Sequence, residues 1–118
     1  LELVRQGDFG FESGAGACES LLGLAQPPSA VFASSDTVAA GAVQAAHRAG
    51  VAVPRELAIA GFDDTALARF VWPPLTTVRQ PIRELAHEAA DLLLGDGPPD
   101  EAREVAWELV VRDSTANS

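Results

Sequence analysis

Apolar positions along this chain keep two rhythms, and the changes of rhythm predict its elements. Short, nearly continuous apolar runs at residues 30–34, 57–60 and 105–111 predict strands, and residues 1–4 and 76–79 read as two more. Between them the period lengthens to that of a helix. Cys18, Leu21, Leu22 and Ala25 recur on one face of residues 11–25, and Val38, Ala42, Ala45 and Ala49 on one face of residues 36–49. Ile82, Leu85, Ala89, Leu92 and Leu93 form a third apolar stripe, opposite Arg83, Glu84, His87, Glu88 and Asp91. Residues 66–70 predict a short helical turn.

Punctuation residues support these boundaries. Pro27-Pro28 stops the first helix, although Gly14 and Gly16 weaken its first half. Ser35 is placed to cap the second helix, Asp36 adds negative charge beside its N-terminus, and Gly50 suits its C-terminal end. Pro73-Pro74 ends the short turn, Pro81 suits a first helical position, and Gly95-Asp96-Gly97-Pro98-Pro99 breaks the chain before the last strand. Residues 113–118 read as a frayed tail. The order is β-α-β-α-β-β-α-β. Continuous apolar strands between helices imply an α/β fold: part of a doubly wound, Rossmann-like parallel sheet covered by helices on both faces.

Composition narrows the class. The chain has 118 residues, 47% hydrophobic and 21% charged, which fits one globular domain rather than a disordered segment. Its net charge of −9, from 8 basic and 17 acidic residues, excludes a phosphate-gripping surface in this part of the protein. Cys18 is the sole cysteine and sits among Ala17, Leu21 and Leu22, where a small buried apolar residue is expected. No apolar run approaches the ~20 residues of a membrane helix, and no signal-peptide pattern opens the chain.

Candidate chemistry is sparse. Asp63-Asp64 follows the 57–60 strand, at the carboxyl end where open α/β sheets bind ligands. Such a pair more often closes an Asx turn or caps a helix. A carboxylate there can also accept two hydrogen bonds from vicinal hydroxyls, and one of the pair could bind while the other caps. Phe9, in the loop Gly7-Asp8-Phe9-Gly10, is either core or a ring face for a sugar or base. Ser35-Asp36 is a cap by default and a polar site if it faces a cleft. His47 and His87 are far apart, expected on wet faces, and lack cysteine partners, so no metal is expected. Gly14-Ala15-Gly16 fails as a dinucleotide fingerprint, because Glu19 stands at the third glycine and the run lies inside a helix. Ser13 is in no nucleophile elbow, no nucleophile–base pair is evident, and nothing calls for a cofactor. Phe70, Val71 and Trp72 are either core or, if exposed, a partner surface.

Five segments together resemble the lactose/galactose repressor (LacI/GalR) family of transcriptional regulators. They are GDFGFESG (7–14), PSAVFASSDTVAAGAVQAAHRAGVAVP (28–54), LAIAGFDD (57–64), PPLTTVRQP (73–81) and LVVRDST (109–115). The resemblance covers nearly all of the chain, but only about the last third of the family's length. It implies an incomplete C-terminal subdomain of a periplasmic-binding-protein-like effector domain. The helix-turn-helix, the hinge and the N-terminal subdomain would lie outside this chain, so DNA would be met only through another part. By position it implies effector contacts at Phe9, Ser35, Asp63 and Gln80; Ser35 stands where the family commonly has Asn. It also implies a homodimer surface on Phe11, Ala39, Val43, Arg69, Phe70 and Trp72.

The implied function is a cytoplasmic effector-binding and dimerisation module. A small molecule, most often a sugar, would bind between two subdomains and shift DNA affinity. No enzyme activity and no membrane partner are implied. A periplasmic-type sugar-binding protein shares the fold and is the alternative reading. A small α/β enzyme is the more distant one.

Overall fold

The structure, a computed structural model, describes residues 2–95 and 102–116. In chain order the elements are α1 (Phe11–Leu22), β1 (Ala30–Phe32), α2 (Asp36–Arg48), β2 (Ala58–Asp63), α3 (Leu67–Phe70), β3 (Thr76–Arg79), α4 (Ile82–Leu94) and β4 (Glu108–Val110). The strands form one sheet in the order β1-β2-β3-β4. β1, β2 and β3 run parallel, with Ala30 beside Ala58 and Ala60 beside Thr76. β4 returns antiparallel, with Leu109 beside Val78. The expected mixed α/β class is therefore present.

The period-2 geometry of a strand sends Leu57, Ile59 and Gly61 to one face of β2, and α2 packs there. Ala39, Ala42, Val43, Ala45 and Ala46 of α2 meet Leu57, Ile59 and Leu75 in the core. Burying Leu57 and Ile59 in full contributes about 1.5–3 kcal/mol each. Small residues on α2 let both the sheet and α1 come close. A Cβ at Gly41 would sit 2.1 Å from the Phe11 carbonyl oxygen, and one at Gly14 would sit 2.3 Å from that of Val38. The two glycines thus face each other's helix backbones across the α1–α2 crossing. Gly16, by contrast, has open space around it.

Several expectations need correction. Residues 2–4 form no strand. The Arg5 guanidinium bonds the carbonyls of Glu2 and Val4 and the Ser20 hydroxyl on α1, which bends this segment back and leaves β1 at the sheet edge. α1 ends at Leu22, where Gly23 closes it. β2 runs three residues further than its apolar stretch, because Gly61, Phe62 and Asp63 pair with Thr77, Val78 and Arg79.

Helices cover only one sheet face among the described residues. Ala58, Ala60 and Phe62 on the other face are half-buried, and Phe32 and Leu109 are exposed. Among the described residues the apolar stripe of α4 is largely uncovered: Leu85 lines a hollow with Phe62 and Trp107, but the helix buries no residue, and Leu93 and Leu94 are 85% and 87% exposed. This accounts for a radius of gyration of 17.0 Å, above the ~13–14 Å expected for a compact chain of this length.

The tail is docked rather than frayed through Ala116. Ser114 is fully buried; its hydroxyl donates to the Ile59 carbonyl and accepts the Thr76 N–H. Thr76 also bonds Arg112 and Thr115. Residues 117–118 and the breaker loop from 96 to 101 lie outside the described residues.

Candidate functional site

The carboxyl ends of the three parallel strands present Ser34-Ser35, Asp63-Asp64 and Gln80 along one edge of the sheet. Local chemistry holds each one. Ser35 is extended, and its Oγ accepts the Val38 N–H at 3.2 Å, as a helix N-cap should. That use occupies an Oγ lone pair; the hydroxyl hydrogen has no acceptor among the described residues.

The two aspartates divide their roles. Asp64 is structural: its side chain is 2% exposed, held by Arg112 at 2.6 Å and Arg79 at 2.7 Å. Burial alone would raise the Asp64 pKa, but the hydrogen bonds and charges of Arg112 and Arg79 outweigh it and hold the carboxyl below the usual range. Arg79 continues to Glu108 and Arg112 continues to the Leu75 carbonyl, so this network ties β4 and the tail to the end of β2. Asp63 is half-buried, and among the described residues only its Oδ1 is engaged, accepting the Gln80 amide at 2.7 Å. Its second oxygen is available to a ligand.

Both aspartates have left-handed backbone, with φ of 108° at Asp63 and 53° at Asp64. Such non-glycine conformations cost about 1–3 kcal/mol each and persist only where the surroundings impose them. Thr77 Oγ1 accepts the Asp64 N–H at 3.3 Å. One residue further on, Thr65 gives both its N–H (2.6 Å) and its hydroxyl (3.0 Å) to Oδ2 of Asp36.

Phe9 also has left-handed backbone, with φ of 64°, and its side chain is 66% exposed. Asp8 fixes that loop by accepting the Gly10 N–H at 2.8 Å. Phe9 lines a hollow of about 530 Å³ with Ser13, Phe32 and Ser34 beside the free edge of β1. Gln80 lines a different hollow, of about 340 Å³, with Phe62 and Trp107. The Phe32 and Phe62 rings meet edge to face at 6.4 Å between the two. The structure thus brings Asp63 and Gln80 into contact and sets Ser35 at the next strand end. It leaves Phe9 on a separate hollow.

Of the expected partner-surface residues, Phe70 and Trp72 are 82% and 76% exposed, Arg69 is exposed and Phe11 half-buried. Ala39 and Val43 correct the expectation. They are 0% and 2% exposed because the α2 face that carries them is the one turned onto α1 and the sheet, so they belong to this chain's own core.

Thr65, Thr77 and Arg112 were not legible as site-forming residues, and Asp36 was legible as a cap or polar position but not as a buried anchor. Asp36 looks like an ordinary first-turn acid, yet it is wholly buried. The one sequence signal is Gly61, placed where a Cβ would come within 2.6 Å of the Asp36 carboxylate. His47 and His87 are exposed, and Cys18 is buried, with its thiol pKa raised first by desolvation. Among the described residues no group of three or more His, Cys, Asp or Glu gathers as metal ligands, and no helix is long and apolar enough to cross a membrane.

A one-edged polar site on a mostly parallel sheet agrees with what the chain is similar to. Residues 3–115 match the periplasmic binding protein-like domain, and the chain belongs to that family, in the branch of the LacI/GalR regulators. It is 45% identical to the HTH-type transcriptional repressor CytR of Escherichia coli K12, over 97% of this chain and 35% of the repressor. It is 40% identical to the HTH-type transcriptional regulator MalR of Streptomyces coelicolor, over 99% of this chain and 35% of the regulator. The chain thus spans about a third of the length of the curated relatives it matches. Among solved structures, a LacI-family regulatory protein from Chloroflexus aggregans superimposes with a TM-score of 0.82 at 34% identity, over 93% of this chain and 41% of that one. A LacI-family regulator from Lactobacillus casei with bound sucrose gives a TM-score of 0.75 at 34% identity, over 90% and 41%.

Proposed function

We propose that this chain is the C-terminal, incomplete subdomain of the effector-binding core of a cytoplasmic DNA-binding transcriptional regulator, and not an enzyme. The observation that carries this is the Asp63 carboxylate at the carboxyl end of β2, one oxygen held by Gln80 and the other free. A carboxylate so placed accepts hydrogen bonds from sugar hydroxyls, each worth about 1.5–3 kcal/mol net when charge-assisted. Ser35 adds a hydroxyl donor from the next strand end, and Phe9, on the neighbouring hollow that Ser34 also lines, a ring face at the site's margin. The stripe of α4, largely uncovered among the described residues, and the open sheet face fit a second subdomain that supplies the opposite wall of the cleft. A sugar effector is supported by structural neighbours solved with bound sucrose and glucose and as a cellobiose complex.

In this reading effector binds the two arrangements of the subdomains unequally and so changes operator affinity. DNA is gripped by a part outside this acidic chain. Arg69, Phe70 and Trp72, with Phe11, form the homodimer surface. The test is calorimetric titration of the full-length protein with D-ribose, D-glucose, sucrose and cellobiose, followed by measurement of its DNA affinity with and without the sugar that binds. Saturable binding with a change in DNA affinity is expected. Binding by none of the four, or binding that leaves DNA affinity unchanged, would refute the proposal.

A further inference from the structure

We infer that Asp36 is a positioning residue for the effector site, acting on Asp63 through Thr65 and on Ser35 through the start of α2; this rests on the effector reading above. Asp36 is completely buried, which is costly for a carboxylate unless its lone pairs are filled. Three hydrogen bonds from two segments meet them. Oδ2 takes the N–H and hydroxyl of Thr65, and Oδ1 takes the Thr77 hydroxyl at 2.6 Å. Gly61 leaves room for this carboxylate against the middle of β2.

Each bond fixes something near the ligand edge. Thr65 directly follows the two left-handed aspartates, so its anchorage to Asp36 holds the exit of that turn. Thr77 touches both Asp36 and the Asp64 N–H, and so holds the turn's middle. Asp36 is also the first residue of α2, directly after Ser35. One buried side chain therefore sets the separation between the Ser35 hydroxyl and the Asp63 carboxylate while meeting no ligand itself. A site that must span two hydroxyls of one small molecule depends on that separation, because small misplacements of a hydrogen-bond acceptor forfeit its directional strength.

The experiment is a double-mutant cycle in the full-length protein, read as the affinity for whichever of D-ribose, D-glucose, sucrose or cellobiose binds. Asp36→Asn keeps the volume but presents an N–H toward the Thr65 N–H or the Thr77 hydroxyl. It should weaken binding about tenfold, the scale of one charged hydrogen bond. In an Asp63→Asn background the same change should weaken binding less than about threefold, because the group it positions is already impaired. Thr65→Ala, at an exposed position, removes only the hydroxyl bond and provides a second route if Asp36→Asn fails to fold. It should show the same coupling to Asp63→Asn at smaller size. Equal losses with and without Asp63→Asn, for both Asp36→Asn and Thr65→Ala, would mean a merely structural role and would overturn the inference while leaving the effector reading intact. Binding of no sugar by the wild-type protein would overturn both.

Discussion

Gln80 donates its side-chain amide to Asp63 at 2.7 Å, joining the carboxyl ends of two adjacent parallel strands. The bond orients the carboxylate, and its other oxygen has no hydrogen-bond partner among the described residues. In the full-length protein, Asp63→Ala should weaken effector binding at least about tenfold, the scale of one lost charged hydrogen bond. Gln80→Ala should weaken it less, because the acceptor remains but is no longer oriented. Calorimetry with Asp63→Ala at wild-type affinity would remove Asp63 from the site.

The α1–α2 crossing depends on two glycines and is indifferent to a third. Gly41→Ala drives a methyl into the Phe11 carbonyl, so it should cost about 1–3 kcal/mol, or a drop in melting temperature of about 4 °C per kcal/mol. Gly16→Ala, in open space on α1, should be neutral or stabilising by up to about 1 kcal/mol. Thermal unfolding of the two variants decides this: similar midpoints for both would mean that the helices do not approach so closely.

Acid should loosen the end of β2 through Asp64. Its pKa is lowered in the folded chain, so its contribution is fully present above the unfolded value near ~3.9 and is lost as pH falls through the lower folded value. Melting temperature followed downward from pH 6 should fall below about pH 4. Asp64→Asn, which cannot pair with Arg112 and Arg79, should start less stable and lose less over that range. Parallel curves for the two proteins would assign the acid sensitivity to other carboxylates.

Phe70 and Trp72 are large, apolar and exposed beside Arg69, a composition typical of partner surfaces. Trp72→Asp in the full-length protein should shift sedimentation from dimer toward monomer with little change in melting of the fold. A dimer that persists at low concentration would place the interface elsewhere.

Helix α4 is a 13-residue helix that buries no residue among those described, near the length at which isolated helices are marginal in water. Hydrogen exchange on the chain alone should show α4 amides exchanging far faster than those of α2, and the difference should shrink in the full-length protein. Equal protection of α2 and α4 in the chain alone would contradict the packing described.

The sequence by itself determined most of the elements. Uninterrupted apolar stretches, helical stripes and Pro or Gly stops are local signals, so α2 and β3 begin where the pattern places them, α4 begins one residue later with Pro81 at its N-cap, and Ser35 caps as its chemistry requires. The Asp63-Asp64 pair was visible as a turn at a strand's carboxyl end, either a cap or a ligand site, but its division of labour was not. That was set by Arg79, 15 residues away, and Arg112, 48 away, which claim Asp64 and leave Asp63 to Gln80. The buried anchorage of Asp36 to Thr65 and Thr77, 29 and 41 residues on, was equally invisible, as was the docking of Ser114 under β2. α4 shows the converse: its stripe was read correctly, yet no pattern of residues says whether a stripe finds its partner in the same chain. Periodicity records which side of an element avoids water. Which surface, charge or hydroxyl it then meets depends on contacts between distant residues, and those exist only once the chain is folded.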